Sequence, residues 1–306
     1  MTRQEINQAK QKEIFKERNK EIAKKITKIT IKLLLTITII SIIFFSYTTY
    51  ISTVKIHTRE YRVINNKVPN NFNGTKIIQF SDLHYGTTMN LENLKEIVKM
   101  INETKPDIVV FTGDLIDKNY KLKNNEQEKI INQLKKIETT LGKYTIYGEE
   151  DNESFNTIMN ASNFIILKNE YDLIYKDTNN PILLVGLNNQ TKDENSLQNA
   201  YSYFTQEIHN PDIFSITLTH KPDTVDLIDP TKTQLILAGH SHNGSVRIPF
   251  INKSLFNKEG AKKYNQDYYK VNNNDLYISS GLGTNNYVGF RLFCRPTISL
   301  YRISNK

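Results

Sequence analysis

The residues of this 306-residue chain that could do chemistry lie directly after short apolar runs, at five places. Carboxylate oxygens and imidazole nitrogens dominate these places, and both are ligands of divalent metal ions. The five motifs are, in chain order, Ser81-Asp82-Leu83-His84, Gly113-Asp114-Leu115-Ile116-Asp117, Gly148-Glu149-Glu150-Asp151, Thr219-His220-Lys221-Pro222 and Gly239-His240-Ser241-His242. Together they predict a metal site built from oxygen and imidazole ligands.

The spacing within two of the motifs favours shared ions. Asp82 and His84 are two residues apart, as are His240 and His242. Alternate residues of an extended segment project to the same side, so each pair is expected to reach one ion. Two neighbouring ions need six or seven ligands, one of them a shared carboxylate, and Asp114 is the natural bridge.

Each motif taken alone also has an ordinary explanation. An Asp-x-His pair is common in turns, and Asp114 is of a residue type that caps helices. A single histidine such as His220 is more often a satisfied core residue than a ligand. The metal interpretation therefore depends on the set, because four of the six histidines fall in the motifs. The other two, His57 and His209, are assigned no role.

Short strands and helices alternate along the chain and must position these motifs. The apolar runs predict strands at 76–80, 107–111, 144–147, 182–187, 213–219, 234–238, 275–280 and 291–303, and a hairpin at 163–167 and 171–176. Helices are predicted at 91–102, 125–138, 154–160, 196–207 and 224–228, and residues 247–274 form a polar insertion. The alternation indicates an α/β layered fold, in which ligand-binding residues gather beyond the carboxyl ends of strands.

The amino-terminal region differs in composition from the rest. Residues 1–32 carry ten basic and four acidic residues, and thus six of the eight net positive charges. Residues 33–54 carry no charge, and at about 1.5 Å per residue they can cross a hydrocarbon core of about 30 Å. We interpret 1–32 as a basic cytoplasmic arm, 33–54 as a transmembrane helix, 55–74 as a linker and 75–306 as the catalytic domain. The positive-inside rule places that domain outside the cytoplasm, at the cell membrane.

Two alternatives exist for the apolar segment, and composition excludes several classes of site. A buried core helix rarely runs so long without a charge, and no small-x-small cleavage site of a signal peptide follows the segment. The single cysteine, Cys294, excludes an internal disulfide framework and any Cys-rich metal site, and a buried apolar role is expected for it. The chain has no Walker lysine loop, dinucleotide glycine fingerprint or Gly-x-Ser-x-Gly elbow.

The motifs D-x-H, G-D-x-x-D, G-x-x-D, T-H-x-P and G-H-x-H-x-G resemble those of the calcineurin-like metallophosphoesterase superfamily. The stretches 281–284 and 291–296 are similar to its membrane-associated YkuE-like branch, which resembles UDP-2,3-diacylglucosamine pyrophosphatase-type enzymes. The resemblance covers residues 75–303 and implies a four-layer α/β/β/α sandwich, here preceded by one N-terminal transmembrane helix. It implies hydrolysis of a phosphodiester or pyrophosphate bond in a phosphorylated small molecule or lipid-linked substrate at the bilayer.

The resemblance also implies two divalent metal ions, of Mn, Zn, Fe or Mg. The ligands that it implies are Asp82, His84, Asp114 and His242 for the first ion, and the bridging Asp114 with Glu149, His220 and His240 for the second. A hydroxide that bridges the ions would attack phosphorus in line. Asp117 is expected to orient a neighbouring ligand or turn.

The third motif departs from the family pattern. The family has Gly-Asn-His-Asp or Gly-Asn-His-Glu where this chain has Gly148-Glu149-Glu150-Asp151. Glu149 still suits a ligand, whereas Glu150, at the catalytic histidine position, stays ionised beside two cations and donates no proton. Two hypotheses remain: a working hydrolase for substrates with good leaving groups, and a weakly active or inactive metal-binding module that binds a phosphorylated ligand.

A nuclease is the third hypothesis, and the charge pattern argues against it. The body of the chain is close to neutral beyond residue 32, whereas nucleic-acid binding generally uses a basic face. Candidates for contact with a substrate phosphate are Arg247, Arg291 and Arg295, each of which could instead pair with a carboxylate. A second set forms either a phosphate-binding rim or a solvated loop: Lys221, Lys253, Lys258, Lys262 and Lys263.

Overall fold

The computed structural model describes residues 2–53, 55–123, 125–188, 193–206, 210–247, 258–284 and 289–306. The chain forms two compact units, Met1–Thr48 and Thr49–Lys306. The second unit carries all five motifs and is an α/β structure.

The first unit is dominated by one helix, α1 (Arg3–Ser46), which ends in a π-helical turn at Tyr47–Ile51. None of the residues of α1 is buried, and apolar side chains such as Ile40 are 60% exposed. The helix is long and apolar enough to cross a membrane. The exposure of α1 thus excludes a buried core helix. A signal segment would have the same length and apolar composition. Residue 54, the last of the expected span, lies outside the described residues.

Two six-stranded sheets form the centre of the second unit. The strands of the first sheet are, in spatial order, β1 (His57–Ile64), β12 (Thr297–Ser304), β2 (Thr75–Phe80), β3 (Ile108–Phe111), β4 (Gly142–Thr145) and β5 (Ile165–Ile166). Those of the second are β10 (Tyr268–Val271), β11 (Asn274–Ile278), β9 (Leu235–Ala238), β8 (Ser215–Thr219), β7 (Ile182–Gly186) and β6 (Glu170–Ile174). The central strands of each sheet are parallel, so their carboxyl ends share one edge.

Helices cover the outer face of each sheet. The first sheet carries α2 (Leu91–Glu103), α3 (Glu126–Leu134) and α4 (Glu153–Ala161), and one apolar cluster joins them to β2 and β3. The second carries α5 (Glu194–Ala200) and the 3-10 turns Ser202–Thr205 and Pro222–Leu227, joined by another cluster. A third cluster lies between the sheets. These three cores confirm the four-layer α/β/β/α sandwich, and burial on both faces explains the continuous apolar runs.

The segment that was expected to be a linker contains a strand. Residues 57–64 form β1, which pairs in parallel with β12 over eight residues, from His57 opposite Thr297 to Ile64 opposite Ser304. The sequence His-Thr-Arg-Glu-Tyr-Arg-Val-Ile hides this strand, because β1 lies at the sheet edge and is mostly exposed or half-buried. Charged residues are common on edge strands.

The hairpin predicted at 163–167 and 171–176 was wrong. β5 pairs with β4 in the first sheet, whereas β6 pairs with β7 in the second. The intervening Leu167 is buried in the cluster between the sheets, so the chain crosses from one sheet to the other instead of turning back. Apolar alternation reveals a strand but not its partner.

The bounds of several helices and strands also differ from those predicted. The predicted helix 125–138 ends at Leu134, and the predicted helix 196–207 ends at Ala200, before a 3-10 turn. The third strand begins at Gly142, and the last begins at Thr297 instead of 291. Residues 248–257 of the insertion, and His209, lie outside the described residues.

Candidate metal centre

The five motifs follow β2, β3, β4, β8 and β9, and the fold brings their side chains together at one edge of the sandwich. The structure places six of them in two buried groups, within each of which the ligand atoms lie within 4.8 Å of one another. The first group is Asp82, His84 and His242, and the second group is Asp114, His220 and His240. Each group takes residues from both sheets, so neither exists until the sheets have packed.

Asp114 connects the two groups. Its Oδ2 atom lies 3.2 Å from Nε2 of His220 and 3.7 Å from Nε2 of His84. Burial opposes ionisation, but His220 and His84 outweigh it and hold the pKa of Asp114 well below its usual range. A buried carboxylate that faces a histidine of each group is in the position that a bridging ligand needs.

The two histidines of the second group each direct one ring nitrogen away from a backbone carbonyl. His220 donates from Nδ1 to the carbonyl of Thr112 at 2.7 Å, and His240 lies with Nε2 2.8 Å from the carbonyl of Glu259. Their other ring nitrogens, Nε2 of His220 and Nδ1 of His240, are buried and have no hydrogen-bond partner among the described residues. A carbonyl that fixes the proton on one nitrogen leaves the other as a lone-pair donor. Nitrogens without partners beside carboxylates fit divalent cations.

The pairs Asp82–His84 and His240–His242 do not have the extended backbone that was expected from their spacing. Asp82 and His84 share the first group, but His240 and His242 belong to different groups. All four, together with Asp114, have backbone φ angles between 43° and 64°, so they lie in left-handed turns instead of an extended segment. Such conformations cost roughly 1–3 kcal/mol each outside glycine, and they concentrate at functional sites.

Glycines allow the motifs to approach one another. A Cβ atom on Gly148 would lie 2.2 Å from Oδ1 of Asp114, and one on Gly239 would lie 2.3 Å from Oγ of Ser81. Both distances are far below van der Waals contact. The glycines of the third and fifth motifs are therefore required by packing around the carboxylates.

Asp151 is a site residue to which the sequence reasoning gave no role. Its carboxylate accepts hydrogen bonds from the backbone amides of Asp114, Leu115 and Gly148. It thereby joins the loop after β3 to the loop after β4. Burial and the neighbouring Asp114 raise the pKa of Asp151 to about 7. Its place three residues after the motif glycine was the available signal.

The two glutamates of the third motif point in different directions. The side chain of Glu149 is 52% exposed and pairs with Lys221 at 2.9 Å. Its carboxylate lies 3.8 Å from Nδ1 of His240 and belongs to neither group. Glu150 forms a third group with His84 and Asp117, and its side chain is 9% exposed.

The three arginines do not lie among the ligand groups. Arg291 is fully buried and donates to the carbonyls of Ser280 and Gly283. It supports the loop behind His242, with Nη2 3.4 Å from Nδ1 of that histidine, and its contact with phosphate stays a prediction. Arg247 pairs with Asp267 at 3.5 Å. Arg295 lies 2.8 Å from Nε2 of His57.

Four of the five lysines expected at a rim lie in the described part of the chain, and Lys258 contacts a residue of the second group. Nζ of Lys258 donates to the backbone carbonyl of His240 at 3.1 Å. Lys263 pairs with Asp226, and Lys253 lies outside the described residues. The lysines therefore do not act as one set.

The chain is similar to three proteins whose names describe phosphoesterases or a pyrophosphatase. The chain is 29% identical to the metallophosphoesterase YkuE of Bacillus subtilis, over 85% of this chain and 90% of that one. It is 25% identical to the UDP-2,3-diacylglucosamine pyrophosphatase LpxG of Chlamydia muridarum, over 75% and 83%. It is 23% identical to the phosphodiesterase YaeI of Escherichia coli, over 74% and 82%.

The profile of one protein family matches the part of the chain that carries the ligand groups. It is described as calcineurin-like phosphoesterase, and it matches residues 75–244. This range contains all five motifs, from Asp82 to His242, and more than half of the chain. The chain therefore belongs to the calcineurin-like phosphoesterase family.

Proposed function

We propose that this protein is a membrane-anchored, two-metal phosphoesterase that hydrolyses a phosphodiester or pyrophosphate bond. The observation that carries the proposal is the pair of buried ligand groups, with the carboxylate of Asp114 facing a histidine of each. Membership of the calcineurin-like phosphoesterase family supports the same chemistry.

Each group offers one carboxylate and two imidazoles, a donor set that suits Mn²⁺, Fe²⁺ or Zn²⁺. Two ions bound there would supply an activated water molecule and the positive charge that a reacting phosphoryl group requires. The protein's own contribution is to hold the ligands before substrate arrives. Asp82 accepts a hydrogen bond from the backbone amide of His240 at 3.1 Å. This bond joins the end of β2 to the end of β9 across the two sheets.

Residue 150 sets the class of substrate. Burial raises the pKa of Glu150, but the adjacent His84 outweighs burial, and the pKa is lowered from its usual value. An ionised carboxylate supplies no proton to a leaving group, and loss of such a proton donor costs about 10²–10⁴ in rate. Substrates that need little protonation, such as pyrophosphates and aryl-like diesters, are therefore favoured. The names of two relatives, a pyrophosphatase and a phosphodiesterase, support this class.

We further propose that α1 anchors the protein in the cell membrane, with its basic end in the cytoplasm and residues 75–306 outside. The apolar, exposed part of α1 and the excess of basic residues in 1–32 support this orientation. A site tethered to the bilayer suits a lipid-linked phosphorylated substrate. Protease added to intact cells is expected to degrade residues 75–306, and full protection of this region would contradict the orientation.

Turnover by the purified full chain in detergent tests the reaction. With Mn²⁺, the protein is expected to hydrolyse bis-p-nitrophenyl phosphate or a UDP-sugar pyrophosphate. Asp82→Ala is expected to abolish this activity, whereas Glu153→Gln, a change on the exposed first turn of α4, is expected to retain it. The absence of turnover in a protein that binds two ions would contradict a hydrolase.

The alternative is a metal-binding module with little or no activity, which binds a phosphorylated ligand. The specific observation that favours it is the glutamate at position 150. Turnover that appears only in Glu150→His would support this alternative, because the substitution restores the imidazole of the family pattern. Activity that is lost in Asp82→Ala but almost unchanged in Glu150→Ala would support the hydrolase.

A further inference from the structure

Glu150 lies beside a ligand of the first group, on the side of the imidazole ring opposite the other ligands. Oε2 of Glu150 is 3.2 Å from Nδ1 of His84. The other ring nitrogen of His84, Nε2, faces His242 at 3.1 Å and Asp114 at 3.7 Å. The two nitrogens of this histidine therefore serve different partners.

The proton count of imidazole decides what each nitrogen does. A neutral imidazole carries one N–H and one lone pair. If Nε2 directs its lone pair toward a cation held by the first group, the single proton of His84 is on Nδ1. The acceptor within reach of that proton is the carboxylate of Glu150. Histidine ligands of metals commonly donate their second nitrogen to such a carboxylate.

Glu150 is itself held from two sides. Its Oε2 atom accepts the backbone amide of Lys118 at 3.0 Å, and its own backbone amide donates to Oδ1 of Asp114 at 2.8 Å. The side chain thus contacts a ligand of the first group, while the backbone contacts a ligand of the second. A carboxylate restrained in this way has a fixed position from which to orient a neighbour.

We propose that Glu150 is a positioning residue, whose carboxylate accepts the Nδ1 proton of His84 and fixes the ring with Nε2 directed to a metal ion. The inference rests on the proposed metal centre, and it gives position 150 a role other than that of the family's histidine. Glu150 acts through His84 and makes no contact with the reacting phosphoryl group.

The same geometry argues against a third cation between His84, Asp117 and Glu150. Ligand atoms of these three residues lie within 4.8 Å of one another. A cation there would take the lone pair of Nδ1, and His84 would then have to lose both protons to serve two metals. In addition, Oδ1 of Asp117 already accepts the backbone amide of Asn119 at 2.9 Å. A hydrogen-bonded support needs no such deprotonation.

Metal binding by the full chain in detergent tests the proposal. Zn²⁺ titrated calorimetrically is expected to bind Glu150→Ala about 10–100-fold more weakly than the unmodified protein at one of two sites. Glu150→Gln is expected to recover most of the affinity, because its amide oxygen accepts the same proton. Glu153→Gln, an equivalent charge removal three residues away on an exposed turn, is the matched control and is expected to change nothing.

Two results would overturn the proposal: equal affinities in Glu150→Ala and Glu153→Gln, or three bound ions in the unmodified protein that fall to two in Glu150→Ala. If Glu150→Ala does not fold, the ¹⁵N shifts of His84 in the unmodified, zinc-loaded protein decide. A proton on Nδ1 and zinc on Nε2 are expected, and the reverse would contradict the proposal. Two bound ions without turnover would count against the phosphoesterase reaction alone, whereas a protein that binds no zinc would overturn both proposals.

Discussion

The first and second groups differ in how one histidine is held, because His84 faces a side chain, whereas His242 of the same group lies with Nδ1 3.1 Å from the carbonyl of Gly283. In the second group, His220 and His240 are each fixed by a backbone carbonyl, of Thr112 and Glu259. In the first group, His84 depends on the side chain of Glu150. A backbone support changes only when the fold changes, whereas a side-chain support can be removed by one substitution. The comparison indicates that the affinity of the first group is the more easily tuned.

The two groups are alike in one electrostatic respect, because each contains one histidine whose pKa is raised and one whose pKa is lowered. Burial opposes protonation of His220, but Asp114 outweighs it and raises the pKa of His220 to about 9. In the first group, burial lowers the pKa of His242, and the positive charge of Lys258 adds to this. Oδ2 of Asp114 lies 3.2 Å from Nε2 of His220 but 3.7 Å from Nε2 of His84, so Asp114 pairs more closely with the second group. The pairing with a shared carboxylate makes the second group more dependent on Asp114.

Removing Asp114 is expected to have the largest effect. Asp114→Ala takes a carboxylate from between both groups and should cost more than about 100-fold in metal affinity, beyond the range seen for supporting residues. His220→Ala is the comparison variant, because it removes a ligand of the second group alone. Metal analysis is expected to find no tightly bound ion in Asp114→Ala and one in His220→Ala. Two ions retained in Asp114→Ala would show that it does not bridge.

Metal removal is expected to lower the thermal stability of the protein. Each ion present at 100 times its Kd stabilises the folded state by about 2.7 kcal/mol, and 1 kcal/mol corresponds to about 2–4 °C in Tm for domains of this size class. With two ions bound, a chelator should therefore lower the Tm of the unmodified protein by about 10–20 °C and leave that of Asp114→Ala almost unchanged. Calorimetric scans measure both. An equal decrease in the two proteins would mean that the ions bind elsewhere.

The glycine of the third motif is expected to have the next largest effect. Gly148→Ala places a Cβ atom against Asp114, and overpacking of this kind costs about 1–3 kcal/mol. Gly289→Ala is the control, because nothing lies within 4 Å of its added Cβ atom. The free energy of unfolding, measured with denaturant, and the turnover are both expected to decrease in Gly148→Ala and to stay unchanged in Gly289→Ala. An unchanged Gly148→Ala would show that the loop after β4 moves freely away from Asp114.

The smallest effect is expected for Glu149. Glu149→Gln breaks a half-exposed ion pair with Lys221, which is worth about 0–1 kcal/mol. Zn²⁺ affinity should stay within about a factor of ten of the unmodified protein, because the structure places Glu149 outside both groups. A loss of more than 100-fold would restore the role that the resemblance implies, with Glu149 as a ligand of the second group.

Much of the site was readable in the sequence because central parallel strands are continuous apolar runs. β2, β3, β8 and β9 were predicted to within two residues of their ends, and polar residues that follow them lie together in the two groups. The elements that were missed or misplaced have weaker patterns. β1 is an edge strand with charged residues, and β5 has only two residues.

The spacing of residues in the sequence did not predict which side chains contact one another. The motif spacing placed His240 and His242 on one ion, but left-handed backbone turns send them to different groups. Arg291 was expected to contact phosphate, and it is buried behind His242, where it donates to loop carbonyls. A residue's type gives its chemistry, whereas its burial depends on contacts between residues far apart in the chain.

The sequence by itself determined the ligand chemistry, the alternation of strands and helices, and the separation of an apolar, basic-flanked segment from a near-neutral body. These are local properties of residue type and period. The sequence also named Asp114 as the shared carboxylate. Only the tertiary structure decided that Asp114 faces His84 and His220, that the carboxylate of Glu149 is not among the two ligand groups, and that Glu150 contacts His84. The physical reason is that each group combines residues from two sheets, and their distances are set by packing across an apolar core that no local pattern describes.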